Sequence, residues 1–132
     1  MTVIDTSALL AVVLKQEARA RMLTVLMETP APLLLSSVSL YEASTVLLMR
    51  IGRDGVSELH TLLNALGVTV VGFENADAML AIEAYARYGK GIHPAGLNLG
   101  DCPVYALARL NSAPLLFVGK DFSQTDVVAG FS

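Results

Sequence analysis

The sequence is short of charge, nearly free of cysteine, and has no apolar run long enough to cross a membrane. Of its 132 residues 16% are charged and 54% hydrophobic, whereas an average soluble domain carries roughly 25% charged residues. So few charges mean either that much of the chain is interior or that part of its surface is apolar and made for a partner. A single cysteine, Cys102, excludes an internal disulfide, and a reducing, cytoplasmic setting is the simplest expectation. The longest apolar run, residues 8–14, falls far short of the ~20 residues that span a bilayer. No basic stretch precedes it, so no secretory leader is expected. A basic excess is missing too: the net charge is −3 and the pI about 5.2. General nucleic-acid binders are usually basic because phosphate contacts dominate their affinity. The balance argues against such a binder, but not against an enzyme whose acidic pocket is offset by bound cations.

No linker, repeat or low-complexity tract interrupts the chain, and its length suits one domain over residues 1–132. Residues 2–5, 33–35, 68–73 and 115–118 read as short buried strands, with 127–128 as a brief fifth. Apolar spacing predicts helices over residues 6–15, 16–28, 39–51, 56–66, 75–88 and 101–110. Gly52, Gly67 and Gly89 stop three of them, and Pro103 stands near the start of the last, where proline is tolerated. Continuous apolar strands alternating with helices indicate an α/β chain: a three-layer α/β/α sandwich around a mostly parallel sheet of four or five strands. In such sheets ligands bind beyond the carboxyl ends of the strands.

Four acidic residues fall at those ends. Asp5 closes the first strand, Glu42 opens the helix after the second, Asp101 opens the helix before the fourth, and Asp121 follows the fourth; Asp126 lies close behind. Each has a structural alternative. Asp5 and Asp101 could cap helices, Ser39-x-x-Glu42 matches a capping box, and Asp121 and Asp126 could be turn residues. Two observations favour chemistry. The helices bearing Glu42 and Asp101 are apolar nearly all round, so they are expected to be buried on most faces, and a carboxylate in such a setting must be paired, protonated or bound to a cation. Lys and Arg are few and lie mostly on other segments. A divalent metal would relieve the repulsion. With no cysteine cluster, and His60 and His93 not spaced as a pair, an all-oxygen site suits Mg²⁺ or Mn²⁺ rather than zinc. An ion of this kind acidifies water and steadies charge on a phosphate. No nucleophilic side chain is then needed, and the few Ser and Thr near Asp5 lack a neighbouring histidine.

Five blocks in order carry a resemblance: Val-Ile-Asp-Thr-Ser-Ala-Leu over residues 3–9, Ser-Ser-x-x-x-Tyr-Glu-Ala over 36–43, Gly-Lys-Gly-x-His-Pro-Ala-Gly-Leu-Asn-x-Gly-Asp-Cys over 89–102, Leu-Leu-Phe-x-Gly-x-Asp-Phe over 115–122, and Thr-Asp over 125–126. Together they resemble the VapC toxins of the PIN-domain superfamily, and the block over residues 89–102 is the most specific. The resemblance implies a PIN-like fold and a metal-dependent endoribonuclease, in which activated water attacks a phosphodiester of structured RNA. It implies an acidic pocket of Asp5, Glu42, Asp101 and Asp121, with Asp126 as an additional member. It also implies a homodimer and a neutralising VapB-type antitoxin, expected on an apolar groove of the early helices around residues 10–27. Lys120 departs from the family pattern, which often has Asn or Asp there; it could pair with a carboxylate or touch RNA phosphate.

Thr6 and Ser7 either orient a ligand in the pocket or cap a helix. Lys90 and His93 could meet RNA phosphate, or be solvated. Tyr41 and Tyr105 could stack bases, though core packing is the stronger expectation for both. Three rival readings stand beside the ribonuclease: a receiver-like phosphoacceptor domain with an acidic Mg²⁺ pocket, a non-catalytic PIN-like module that only binds RNA or protein, and a DNA-cutting nuclease.

Overall fold

The computed structural model describes residues 1–130. Four strands, β1 (Thr2–Ile4), β2 (Leu33–Ser36), β3 (Thr69–Val71) and β4 (Leu115–Leu116), form one parallel sheet in the order β3-β2-β1-β4. Six helices accompany them: α1 (Thr6–Val13), α2 (Arg19–Glu28), α3 (Ser37–Ile51), α4 (Arg53–Leu66), α5 (Asn75–Tyr88) and α6 (Asp101–Leu110).

The sheet is apolar on both faces because successive strand side chains point opposite ways and each face meets helices. Val3, Leu34 and Leu115, aligned across the sheet, share a core with Ala84, Tyr88, Val104 and Leu107 of α5 and α6. Their strand neighbours Ile4, Leu35 and Leu116 share a second core with Leu9, Met22, Leu47 and Leu59 of α1 to α4. Two cores divided by one sheet make the three-layer sandwich expected from the continuous apolar runs.

The element bounds differ in ways that local chemistry explains. Helix α3 begins at Ser37 because the Ser36 hydroxyl, not that of Ser39, caps it by accepting the N–H of Val38. Helices α3 and α4 meet at Gly52, whose φ of +78° suits glycine, so α4 starts at Arg53 rather than residue 56. Helix α2 starts three residues later than its apolar spacing implies: Lys15 turns at φ 55°, and the Arg19 guanidinium bonds back to the carbonyl of Val12. No fifth strand forms over residues 127–128. One residue later Ala129 makes an isolated parallel bridge with Leu115, through the N–H of Leu115 to Val128 and that of Gly130 to Leu115, each 2.8 Å.

Burial corrects one expectation and supports another. Helix α6 is buried from Asp101 to Ala108. Helix α3 is not buried on most faces: Tyr41 is 74% and Met49 82% exposed, and Glu42 is half-buried. The strand order disposes of the receiver-like reading. In that architecture the first strand lies between the second and third, whereas here β1 lies between β2 and β4. The chain steps outward from β1 to β2 and β3, then returns to the far side of β1 for β4. The order therefore reverses beside β1, and the crevice beyond the carboxyl ends of β1 and β4 is where such sheets bind ligands.

Candidate active site

At that crevice the chain leaves β1 through Asp5. Its carboxylate caps α1: Oδ2 accepts the N–H of Ser7 at 3.0 Å and also the Ser7 hydroxyl. The same hydroxyl accepts the N–H of Val118 at 2.9 Å. Ser7 thus ties the end of β1 to the segment that follows β4 and leads through Gly119 and Lys120 to Asp121. Asp5 is buried, and burial pushes its carboxyl above the ordinary carboxylate range; the Ser7 bonds oppose this and the Glu42 charge adds to it.

Asp101 is the other buried carboxylate. Its Oδ2 accepts the N–H of Asn98 at 3.0 Å, and the Asn98 side chain accepts the N–H groups of Gly100 and Asp101. Its carboxyl is pushed up to about 7, first by burial, against the Asn98 bond, and further by the negative charges of Asp5, Asp121 and Glu42. Glu42 reaches this point from α3. Gly100 makes room for it: a methyl group there would collide with the Glu42 carboxylate. Asp121 is exposed at the rim, beside exposed Lys120.

The fold therefore couples Asp5, Glu42, Asp101 and Asp121 by charge at one sheet edge, two buried and two towards solvent. It does not bring Asp126 to them. Asp126 accepts the Tyr105 hydroxyl at 2.6 Å and lies 3.6 Å from both Arg87 and Arg109. The Tyr105 bond, then the two guanidiniums, hold its carboxyl below the ordinary range, while burial and that bond push the Tyr105 phenol up to about 12. Tyr105 is core, as expected; Tyr41 is exposed, against expectation.

The remaining residues chosen from sequence are placed as follows. Thr6 is buried beside Asp5 and its hydroxyl has no hydrogen-bond partner; the same holds for Ser39, one helical turn before Glu42. His93 stacks edge-on against Tyr88, and its Nδ1 accepts the N–H of Ala95, so the neutral ring carries its proton on Nε2. Lys90 is exposed on the same loop. The groove expected at residues 10–27 is present in part: Leu10, Leu14, Leu23 and Val25 pack against the core, while Val12, Val13, Lys15 and Arg19 line a cleft of about 460 Å³ whose other wall is α4, with Glu58 and Leu62.

Asn98 is a site neighbour that motif reading passes over. Its signal was present: Asn98-x-x-Asp101 has the spacing of a helix cap and its partner in the first turn. Gly100 offers no signal, since the reason for a glycine there lies on α3, remote in sequence.

All-oxygen donors in negative excess, with two unpartnered hydroxyls buried near them, fit a hard dication in chemistry. Among the described residues no three His, Cys, Asp or Glu side chains stand close enough together to hold an ion.

The sign of the pH dependence follows from Asp101. Folded, it titrates near 7, against an ordinary 3.8, so between those values the folded chain holds a proton that the unfolded chain lacks. Stability is fully present below the unfolded value and falls as pH rises through the folded one. In chelator, the melting temperature is expected to be lower at pH 8 than at pH 5.5, and Asp101→Asn to shrink that difference. An unchanged profile in Asp101→Asn contradicts the assignment.

Known proteins match the chain over nearly its whole length. The PIN domain family matches residues 2–128. Ribonuclease VapC30 of Mycobacterium tuberculosis is 42% identical over 125 residues, 95% of each chain. Ribonuclease VapC of Mycolicibacterium smegmatis is 43% identical over 127 residues, 96% of this chain and 98% of that one. Among solved structures, Mycobacterium tuberculosis VapC20, described as a Sarcin-Ricin loop cleaving toxin, superposes with a TM-score of 0.82 at 18% identity, covering 97% of both chains. A toxin–antitoxin complex from Klebsiella pneumoniae gives 0.74 at 18% identity, covering 99% of this chain and 98% of that one. With the parallel sheet, the acidic crevice and relatives spanning nearly its whole length, the chain belongs to the PIN-domain family, in its VapC branch.

Proposed function

We propose that residues 1–132 act as one domain, a metal-dependent endoribonuclease that is the toxin of a VapBC-type pair and works in the cytoplasm. The observation that carries this is the pair of buried carboxylates, Asp5 and Asp101, at the carboxyl ends of the strands: burial and the Glu42 charge raise both, and the charges of Asp5 and Asp121 raise Asp101 further. The relatives named ribonuclease support RNA as the substrate. Asp5, Glu42, Asp101 and Asp121 would hold one or two Mg²⁺ or Mn²⁺ ions. Bound there, the cation would acidify a water and offset charge on the phosphodiester and its leaving oxygen.

The chain's own groups prepare this chemistry. Ser7 and the Asn98 amide each occupy Oδ2 of a buried carboxylate and fix its orientation. Burial keeps bulk water from screening the two charges. Without a cation the same charges repel an RNA phosphate, so substrate and ion are expected to bind together. Lys120 at the rim and Lys90 with His93 on the loop before α6 are suited to phosphate; His93 can donate from Nε2. Thr6 stands next to Asp5, and its buried hydroxyl has no partner within the chain.

Two partner surfaces accompany the site. The cleft between α1 and α4, apolar at Val13 and Leu62 with Lys15, Arg19 and Glu58 around it, suits the antitoxin. The side formed by α5 and the start of α6 suits a second copy. It offers a trough of about 640 Å³ floored by Ala78, Ala81 and Ala86, with exposed Ile82 and Leu99 on its walls. A two-fold interface needs both projections and recess on one surface, and this one has them.

Asp5→Asn and Asp101→Asn should each abolish RNA cleavage in Mg²⁺ while the circular dichroism spectrum stays unchanged, and EDTA should stop the unaltered chain. Cleavage at the normal rate by either variant, or in chelator, would refute the site. Gly100→Ala meets only the flexible end of Glu42, so its melting temperature should stay near that of the unaltered chain. Its Mn²⁺ affinity should fall about tenfold, the lower bound for disturbing a supporting contact; unchanged affinity would remove Glu42 from the site. Ile82→Glu should convert a dimer to monomer in sedimentation, and a dimer that survives it lies on another face.

A further inference from the structure

The turn entering α6 holds Asp101 through a reciprocal set of hydrogen bonds. Asn98 Oδ1 accepts the N–H of Gly100 and of Asp101, each at 2.9 Å, and the N–H of Asn98 donates to Asp101 Oδ2 at 3.0 Å. The reciprocal pattern is that of a capping box, formed in the turn ahead of α6, whose N-cap is Gly100. One consequence is that Oδ2 is committed to the backbone, and these bonds leave Oδ1 to the crevice. A second is that the turn sets the backbone of Gly100, where the Glu42 carboxylate rests in the space a methyl would fill. One four-residue turn, Asn98 to Asp101, therefore places two carboxylates that come from different helices. Asp5 is arranged alike, with Oδ2 taken by Ser7.

Asn98 itself is exposed. Truncating it removes no packing, so any effect must pass through its hydrogen bonds. An ordinary cap would influence only the stability of α6. Outer partners that orient metal ligands behave differently: their loss typically weakens metal affinity or activity 10–100-fold.

We propose that Asn98 is a positioning residue, which through this reciprocal turn presents a single oxygen of Asp101 to a divalent cation and seats Glu42 beside it. The proposal rests on the metal-dependent function above. Three readouts test it in Asn98→Ala and in Asn98→Ser, which retains a capping hydroxyl: amide exchange in chelator, Mn²⁺ affinity from the electron paramagnetic resonance of the free ion, and steady-state RNA cleavage. In Asn98→Ala the Gly100 amide should exchange faster, Mn²⁺ should bind at least about tenfold more weakly, and kcat should fall with KM for RNA within about twofold. Asn98→Ser should recover most of each loss. Mn²⁺ affinity in Asn98→Ala within twofold of the unaltered chain overturns the proposal, as does Asn98→Ser performing no better than Asn98→Ala. If the unaltered chain takes up no Mn²⁺, the metal-dependent function fails instead. The turn is then judged by exchange alone, and an unchanged Gly100 amide rate in Asn98→Ala overturns it.

Discussion

Like charges held out of water at the carboxyl ends of parallel strands are the constraint around which this molecule is arranged. A carboxylate loses its hydration on burial and regains it only through hydrogen bonds, a proton or a cation. Asp5 and Asp101 have hydrogen bonds at one oxygen each, from Ser7 and Asn98. Repulsion between the acidic groups remains, and Asp101 is driven towards neutrality near pH 7. A site in that condition is poised between a proton and a metal ion, and a chain that belongs to the PIN-domain family has use for the second.

Contrast with Asp126 makes the point sharper. That carboxylate lies near two guanidiniums and accepts a phenol hydroxyl, and its acidity moves the other way. It fastens the C-terminal segment to α6, next to the bridge between Ala129 and Leu115. Two acidic groups in one small chain thus have opposite electrostatic surroundings. Only the arrangement of partners, not residue type or distance from a strand end in sequence, separates the anchor from the crevice.

Much of the architecture was legible because strand burial leaves a plain mark. Runs such as Leu33-Leu34-Leu35 are apolar without alternation only when both faces are covered, and the two cores bear this out. Helix ends are less legible where two nearby serines could each serve as the cap: Ser36 rather than Ser39 caps α3. The outer face of α3 misled, since Tyr41 and Met49 look like interior residues in a list and stand in solvent in the fold. Apolar character signals burial, but cannot say whether the cover comes from this chain or another. That ambiguity was already present in the shortage of charge. The acidic positions could be chosen because strand ends converge in a parallel sheet. The supports around them could not, because Ser7 meets Val118 across 111 residues and Gly100 serves Glu42 from another helix.

The central claim is that these carboxylates gather a divalent cation, and anomalous diffraction from crystals grown in Mn²⁺ tests it most directly. The account predicts a strong anomalous peak between Asp5 and Asp101, about 2.1 Å or one water molecule away from their oxygens, with Glu42 and Asp121 around it. A crevice without a peak in saturating Mn²⁺, or a peak only at some other carboxylate such as Asp126, would contradict it.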